Sequence, residues 1–161
     1  MSGAGIGADG SGFDGVDVVQ THMTNSRLTD PEVLEIRFPV RLESYEIRAG
    51  SGGRGRWHGG NGGVRKVRFL EAMTASILSN NRIVAPFGMA GGEAGALGRN
   101  TVVPSDGNKE TIAPVGSAEM RPNDGFGVET PGGGGYGQTW LSTPIIYANH
   151  RRARHEKRES A

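Results

Sequence analysis

Apolar and polar residues alternate along several short stretches of the chain, a pattern typical of half-buried β-strands. Leu42, Tyr45 and Ile47 stand among charged residues and predict a strand near residues 42–48. The same pattern predicts further strands at residues 16–20 (Val16 to Gln20), 64–70, 73–78, 110–113, 118–121 and 126–130. Short strands at this spacing favour a mainly β fold, with antiparallel strands.

The chain also carries the signals of one short helix. Asp30 stands where an N-cap residue would, Pro31 follows at the first helical position, and Glu32 lies in the first turn. Pro39 should end the helix, because the residue before a proline avoids the α conformation. We therefore expect a mainly β fold with one short helix, as a partial domain of a larger α+β subunit.

Glycine supplies the links between these elements. It accounts for 28 of 161 residues, well above the usual share of about 7 %. Three clusters stand out, at Gly50–Gly63, Gly88–Gly95 and Pro131–Gly137. Such clusters indicate tight turns or a close approach of the backbone to another group. For Pro131–Gly137 we favour structural turns over a cradle of amides for a ligand, although both fit the pattern.

Composition and charge exclude several classes of protein. The chain has no cysteine, so disulfides, thiolate metal sites and cysteine nucleophiles are excluded, and a cytoplasmic location fits. No apolar run approaches the length of a membrane span, and the first residues do not resemble a signal peptide. Residues 138–161 hold five Lys/Arg and two Glu (+3), so residues 1–137, with 13 Lys/Arg and 15 Asp/Glu, carry −2. The basic character belongs to the tail, so the overall charge says nothing about a nucleic-acid surface on the body, and we expect no nucleic-acid partner.

The glycine patterns do not indicate a nucleotide site by themselves. The spacing G-x-G-x-x-G occurs at Gly50, Gly52 and Gly55, but the residues that follow do not predict the helix of a dinucleotide-binding motif. The stretch Gly53–Trp57, with Arg54 and Arg56, resembles RNA-contacting Arg/Gly segments. A structured hairpin loop is the favoured interpretation, because predicted strands flank the stretch closely.

Histidines and acids give weak evidence for a metal site. His22 has Asp14, Asp17 and Asp30 near it in the sequence, and these four residues would hold a metal only if the fold gathers them. A polar loop histidine is the favoured interpretation. The basic run after Asn149 fits a solvated terminus better than a contact with nucleic acid or lipid.

The strongest evidence is a series of ordered sequence blocks. They lie at Gln20–Glu35, Phe38–Val40, Gly50–Trp57, Gly59–Arg65, Ser76–Ser79, Pro86–Glu93 and Thr130–Gly137, the last with four consecutive glycines. This series resembles the C-terminal part of hydantoinase B and 5-oxoprolinase proteins. The resemblance covers about residues 12 to 137 and departs from the family pattern at 102–116, where Gly116-Ser117 replaces glycine-lysine.

The resemblance implies an ATP-dependent opening of cyclic amides, either 5-oxoproline to glutamate or hydantoins to N-carbamoyl amino acids, and a relation to acetone and acetophenone carboxylases. It implies that ATP, with Mg, is bound by a hydantoinase A-type partner subunit. Where a divalent metal is present, the resemblance places its ligands in the N-terminal half of the B-type subunit. No residue of this chain matches those ligands, so none is assigned a catalytic, cofactor-binding or metal-binding role.

Composition and the resemblance together predict a division of the chain. We expect a flexible N-terminal segment at 1–12, the family region at 13–137, and a basic, disordered tail at 138–161. The chain would be a C-terminal fragment that is inactive alone and needs the A-type subunit and the rest of the B-type subunit. The alternative is a non-catalytic remnant or interaction module that retains only the β-rich scaffold.

Overall fold

The computed structural model describes residues 1–21 and 26–139, which form one short helix and nine strands. The helix is α1 (Pro31–Arg37). The strands are β1 (Gly5–Ile6), β2 (Gly12–Phe13), β3 (Val40–Arg48), β4 (Gly62–Phe69), β5 (Met73–Leu78), β6 (Arg99–Val103), β7 (Glu110–Ile112), β8 (Val115–Met120) and β9 (Gly125–Glu129). The predicted mainly β fold with one short helix is confirmed.

The strands pair antiparallel in three sheets. The largest has the order β3-β4-β9-β6-β7, while β5 pairs with β8 and β1 pairs with β2. In the large sheet, Val67, Phe126 and Val102 lie side by side on adjacent strands. Phe126 and Val102 belong to the buried core with Val40, Phe69 and Met120, against which residues of β5 and β8 pack. The core therefore lies between the large sheet and the β5–β8 ribbon.

The helix begins and ends where the sequence predicts. The side chain of Asp30 accepts a hydrogen bond from the amide of Glu32 at 3.0 Å, and Pro31 occupies the first turn. Phe38 is already extended, with φ −133° and ψ 145°, as expected for a residue before proline. The Glu35 carboxylate accepts from the amide of Leu42 at 2.8 Å and ties the helix to β3.

Most predicted strands are confirmed, but one is wrong. The expected strand at Val16–Gln20 is instead a turn, in which Val18 has a φ of 58°. The amide of Val18 donates to the carbonyl of Asn61 at 2.8 Å, and Asp17 bonds to the same residue, so contacts across the fold override the local β preference. Strand β6 and the short pair β1–β2 were not predicted.

Residues of the N-terminal segment 1–12 form hydrogen bonds with distant parts of the chain. The amide of Ala4 donates to Gly134 at 3.0 Å, and the carbonyl of Ser2 accepts from Gly60 at 2.9 Å. The proposed division at residues 12 and 137, including the flexibility of the first segment, stays a prediction. Residues 140–161, most of the basic tail, lie outside the described residues. Within the described part, no helix has the length and apolar character needed to cross a membrane.

Candidate functional site

The three glycine clusters come together in space as one bundle of extended segments. Residues 131–137 run through its centre, and residues 2–4, 51–60 and 86–96 surround them through backbone hydrogen bonds. We call these four segments the glycine bundle. It is a continuous structural unit, although little of it belongs to a regular strand.

The large sheet positions the bundle. Strand β3 ends just before residues 51–60, and β9 ends just before the central segment. Arg48, at the end of β3, forms an ion pair with Glu129 at 3.0 Å and donates to the carbonyl of Thr130 at 3.3 Å. These contacts fix the point at which two of the segments leave the sheet side by side.

Gly132 and Gly135, three residues apart, contact the same neighbouring segment. A Cβ atom on these four glycines would overlap a neighbouring carbonyl oxygen, that of Ser51, Ser2, Phe87 and Arg54 in turn. The first and fourth glycines thus face the same segment, while the second and third face two others. A three-residue repeat is that of a polyproline II helix, and close packing of such helices excludes every residue except glycine at the crowded axis.

The amides of the central segment are used by the protein itself. Those of Gly132, Gly133 and Gly135 donate to the carbonyls of Ala96, Gly60 and Glu93 at 3.0, 2.8 and 2.9 Å. Amides that already donate to backbone carbonyls are not available to a ligand. The geometry of these three amides therefore favours a structural role over a ligand cradle, and the segment is extended rather than a tight turn.

A small cavity opens at one end of the bundle. It has a volume of about 260 Å³ and is lined by Arg56, Trp57, Tyr136 and Gln138, among others. The Arg56 guanidinium lies 5.8 Å from the centroid of the Trp57 ring, within the range of a cation–π contact. The Trp57 and Tyr136 backbones are bridged, with Trp57 N donating to Tyr136 O at 3.0 Å.

This cavity suits binding better than bond breaking. Aromatic faces, a guanidinium and a side-chain amide can hold a small planar ring with polar groups. The described residues that line it include no His, Asp, Glu or Lys to act as a general acid or base. Tyr136 is the side chain of the described lining that could transfer a proton.

The spacing at Gly50, Gly52 and Gly55 does not form a phosphate site. The amides of Ser51 and Gly52 donate to the side-chain oxygen of Asn61 at 3.0 and 3.1 Å, so the amide oxygen takes the place that an anion would need. The residues after Gly55 do not form the helix of a dinucleotide-binding motif. The residues present therefore do not fit a bound nucleotide at this loop.

The three aspartates considered as metal ligands each have a structural partner. Asp14 accepts from the amide of His58 at 2.6 Å, Asp17 from that of Asn61 at 2.7 Å, and Asp30 caps α1. His22 lies outside the described residues. Across residues 1–21 and 26–139, no three His, Asp or Glu side chains are grouped as metal ligands would be.

A second polar cluster was not indicated by any sequence pattern. The guanidinium of Arg82 donates through Nε and Nη2 to Oδ1 of Asn100, at 3.2 and 3.0 Å, and Asn100 is fully buried. The two residues lie 18 positions apart, one in a loop and one in β6. An arginine in an Asn-rich stretch is typical of any exposed loop, so the sequence offered no specific sign of this pairing.

Comparison with known proteins identifies the family. The family model for hydantoinase B/oxoprolinase matches residues 1–139. The chain belongs to the hydantoinase B/oxoprolinase family. This confirms the resemblance expected from the ordered blocks, and the match also includes the N-terminal segment.

This region is similar to parts of both 5-oxoprolinases and a hydantoinase subunit. The chain is 49 % identical to a 5-oxoprolinase of Saccharomyces cerevisiae over 140 residues, which are 84 % of this chain and 11 % of that protein. It is 31 % identical to a putative B-type D-/L-hydantoinase subunit of a Pseudomonas species over 128 residues, 78 % of this chain and 22 % of that protein. The chain thus spans about a tenth of the length of the 5-oxoprolinases it matches.

The same fold occurs in an acetone carboxylase. Its solved nucleotide-free structure superposes with a TM-score of 0.66 at 20 % identity, covering 80 % of this chain and 22 % of the carboxylase chain. At this identity the likeness concerns the fold. It shows that the fold of this family region also occurs within a larger chain.

Proposed function

We propose that this chain is a C-terminal scaffold region of an ATP-dependent cyclic-amide hydrolase, with 5-oxoproline as the favoured substrate. The supporting observation is the identity of 49 % to a 5-oxoprolinase, compared with 31 % to the B-type hydantoinase protein. Hydantoins, opened to N-carbamoyl amino acids, are the second substrate class.

The proposed division of labour follows from what the described residues offer. The glycine bundle supplies a rigid backbone scaffold, and the cavity beside Trp57 supplies a binding surface without a His, Asp, Glu or Lys among its described residues. ATP with Mg would come from the hydantoinase A-type subunit, and any divalent metal from the rest of the B-type subunit. We propose that this assembly is cytoplasmic.

Reconstitution tests this function. The 161-residue chain would be combined with an A-type subunit and the remainder of a B-type subunit, and glutamate release from 5-oxoproline would be measured with and without ATP. We expect ATP-dependent release only when all three parts are present. Hydantoin in place of 5-oxoproline should give slower turnover.

A chain variant provides the matched control. Gly133→Ala places a Cβ against the carbonyl of Ser2, whereas Gly125→Ala meets only ordinary contacts with Val103 at 3.6 and 3.7 Å. The first variant should abolish the restored activity and the second should leave it nearly unchanged. Equal glutamate release with and without this chain would overturn the proposal.

An interaction module without catalysis is the second candidate, favoured by exposed apolar side chains. Ile83 is 78 % exposed, Phe87 76 % and Leu78 84 %. Exposed apolar groups of this kind mark surfaces that pack against another part of a protein or a partner. Partner binding without any gain in glutamate release or in ATP hydrolysis would favour this function over the first.

A further inference from the structure

The guanidinium of Arg82 is held in a fixed position at a cavity separate from the one beside Trp57. Its Nε and Nη2 donate to Asn100 at 3.2 and 3.0 Å, and its Nη1 donates to the carbonyl of Asn80 at 2.6 Å. The side chain is half-buried. Three hydrogen bonds on a planar group leave it little freedom to rotate.

Asn100 cannot turn away from the guanidinium. Its Nδ2 donates to the hydroxyl of Ser79 at 2.8 Å and to the carbonyl of Ala113 at 3.4 Å, and the residue has no exposed surface. Gly98 lies against the face of the guanidinium, because a Cβ there would come within 2.7 Å of Arg82 Cζ. The guanidinium of Arg82 is thus held by Asn100 along one edge and by Gly98 against its plane.

The charge of Arg82 has no carboxylate partner among the described residues. The ion pairs found there are Arg48 with Glu129 and Arg68 with Glu43. Partial burial, and then the positive charge of Arg48, lower the pKa of Arg82 from its ordinary value. A partly buried charge without a counterion is costly, so a fixed cation of this kind is typical of a site that an anion completes.

The guanidinium also has donors left for a ligand. An arginine side chain has five N–H groups, and Asn100 and Asn80 take three of them. Beside Arg82 lies a cavity of about 490 Å³, whose lining includes the exposed Arg99. The two remaining N–H groups, one on Nη1 and one on Nη2, can each donate to a carboxylate oxygen.

We propose that Arg82, held by Asn100, binds the carboxylate of a ligand in this cavity. The carboxylate comes either from a small organic acid or from an Asp or Glu side chain of a region that the longer relatives have and this chain does not span. The site does not depend on the proposed function. If that function holds, the carboxylate of 5-oxoproline is one such ligand.

The test is a titration of the ¹⁵N-labelled 161-residue chain with acetate, at constant ionic strength against chloride. The side-chain N–H signals of Arg82 and Asn100 report on the site directly. We expect saturable shifts of both signals with acetate and none with chloride. Shifts that do not saturate, or equal shifts with chloride, would overturn the proposal.

Variants separate binding at Arg82 from general charge effects. Arg82→Gln should weaken acetate binding at least about tenfold, the order expected for losing a hydrogen bond to a charged group. Arg99→Gln changes the residue next to Asn100 in β6, whose side chain points to the opposite face of the sheet, and should leave binding nearly unchanged. Arg121→Gln, on an exposed arginine outside this cavity, is the matched control and should change nothing.

Two further measurements keep the outcome decisive. Arg82→Lys retains the charge without the planar fork, so binding should still fall while the folded spectrum is retained. If Arg82→Gln unfolds the chain, Arg82→Lys still decides the proposal. Unchanged binding in Arg82→Lys, or binding of inorganic phosphate but not acetate, would contradict a carboxylate site.

Comparing the affinities of two acids distinguishes the two sources of the carboxylate. Binding of L-5-oxoproline at least about tenfold tighter than acetate, more than one exposed contact supplies, would indicate a small organic acid. Equal binding would indicate that the cavity recognises the carboxylate alone, as expected for an acidic side chain. Failure of the reconstituted enzyme with retained acetate binding would reject the proposed function and leave this site standing.

Discussion

At the scale of single residues, glycines of the same sequence appearance have different roles. Gly132–Gly135 pack backbone against backbone, so that any side chain there meets a carbonyl. Gly125, in β9, has room for a Cβ, which would make ordinary contacts with Val103. Composition alone indicated close approaches or turns, but only the fold shows which glycines are required.

Gly133→Ala should therefore be strongly destabilising. The new Cβ overlaps the backbone of Ser2, which cannot rotate aside as a side chain can, so we expect a loss of about 3 kcal/mol or more in the free energy of unfolding. Urea unfolding followed by tryptophan fluorescence measures it. Gly125→Ala should lie within about 1 kcal/mol of the parent chain. Similar losses in both variants would contradict this packing of the bundle.

The candidate binding residues show the limit of inference from sequence. Arg56 and Trp57 were singled out as an Arg/Gly segment with an aromatic, and they do line a cavity. Arg82 and Asn100 were not, because their pairing depends on how the loop after β5 folds back on β6. Polar residues far apart in sequence carry no periodic pattern that would connect them.

At the scale of elements, alternation and capping predicted most of the sheet and the helix. Strand β6 was missed because Arg99-Asn-Thr-Val-Val places a fully buried asparagine where the pattern expects an apolar residue. The strand predicted at Val16–Gln20 is wrong because Asp17 and Val18 form hydrogen bonds with Asn61 in a turn. The segments of the bundle show no alternation of apolar and polar residues. They are rich in glycine and are joined by backbone hydrogen bonds, so no side-chain pattern indicates how they pair.

The helix depends on its cap, because it is short and buries no residue completely. Asp30→Ala removes the acceptor for the Glu32 amide and should lower the free energy of unfolding by about 1 kcal/mol. Asp30→Asn keeps a capping oxygen and should lose less than half as much. Equal losses, measured by the same urea titration, would show that the charge rather than the cap stabilises α1.

At the scale of the whole molecule, much apolar surface remains exposed. The core holds five buried apolar side chains among the described residues, while Ile83, Val84 and Phe87 in one loop are each more than 70 % exposed. A chain that spans about a tenth of its 5-oxoprolinase relatives lacks the contacts that the rest of such a protein would supply. Those exposed side chains are the natural place for such contacts.

We expect the isolated chain to self-associate through this loop. The double variant Ile83→Ser and Phe87→Ser should shift the sedimentation profile towards monomer at concentrations of tens of micromolar, a range chosen as an order of magnitude for weak apolar association. Ile36→Ser, which removes an equally exposed apolar side chain from α1, is the control. A parent chain that is monomeric throughout would contradict the expectation.

The glycine bundle also affects how the folded state of this protein is detected by spectroscopy. Polyproline II geometry is a major conformation of unfolded chains, so its circular dichroism resembles that of disorder. Yet the amides of Gly132, Gly133 and Gly135 are held by neighbouring carbonyls, as those of a strand would be. A far-ultraviolet spectrum would therefore understate how much of the chain is folded, and slow hydrogen exchange at these glycines is the observable that reports the bundle.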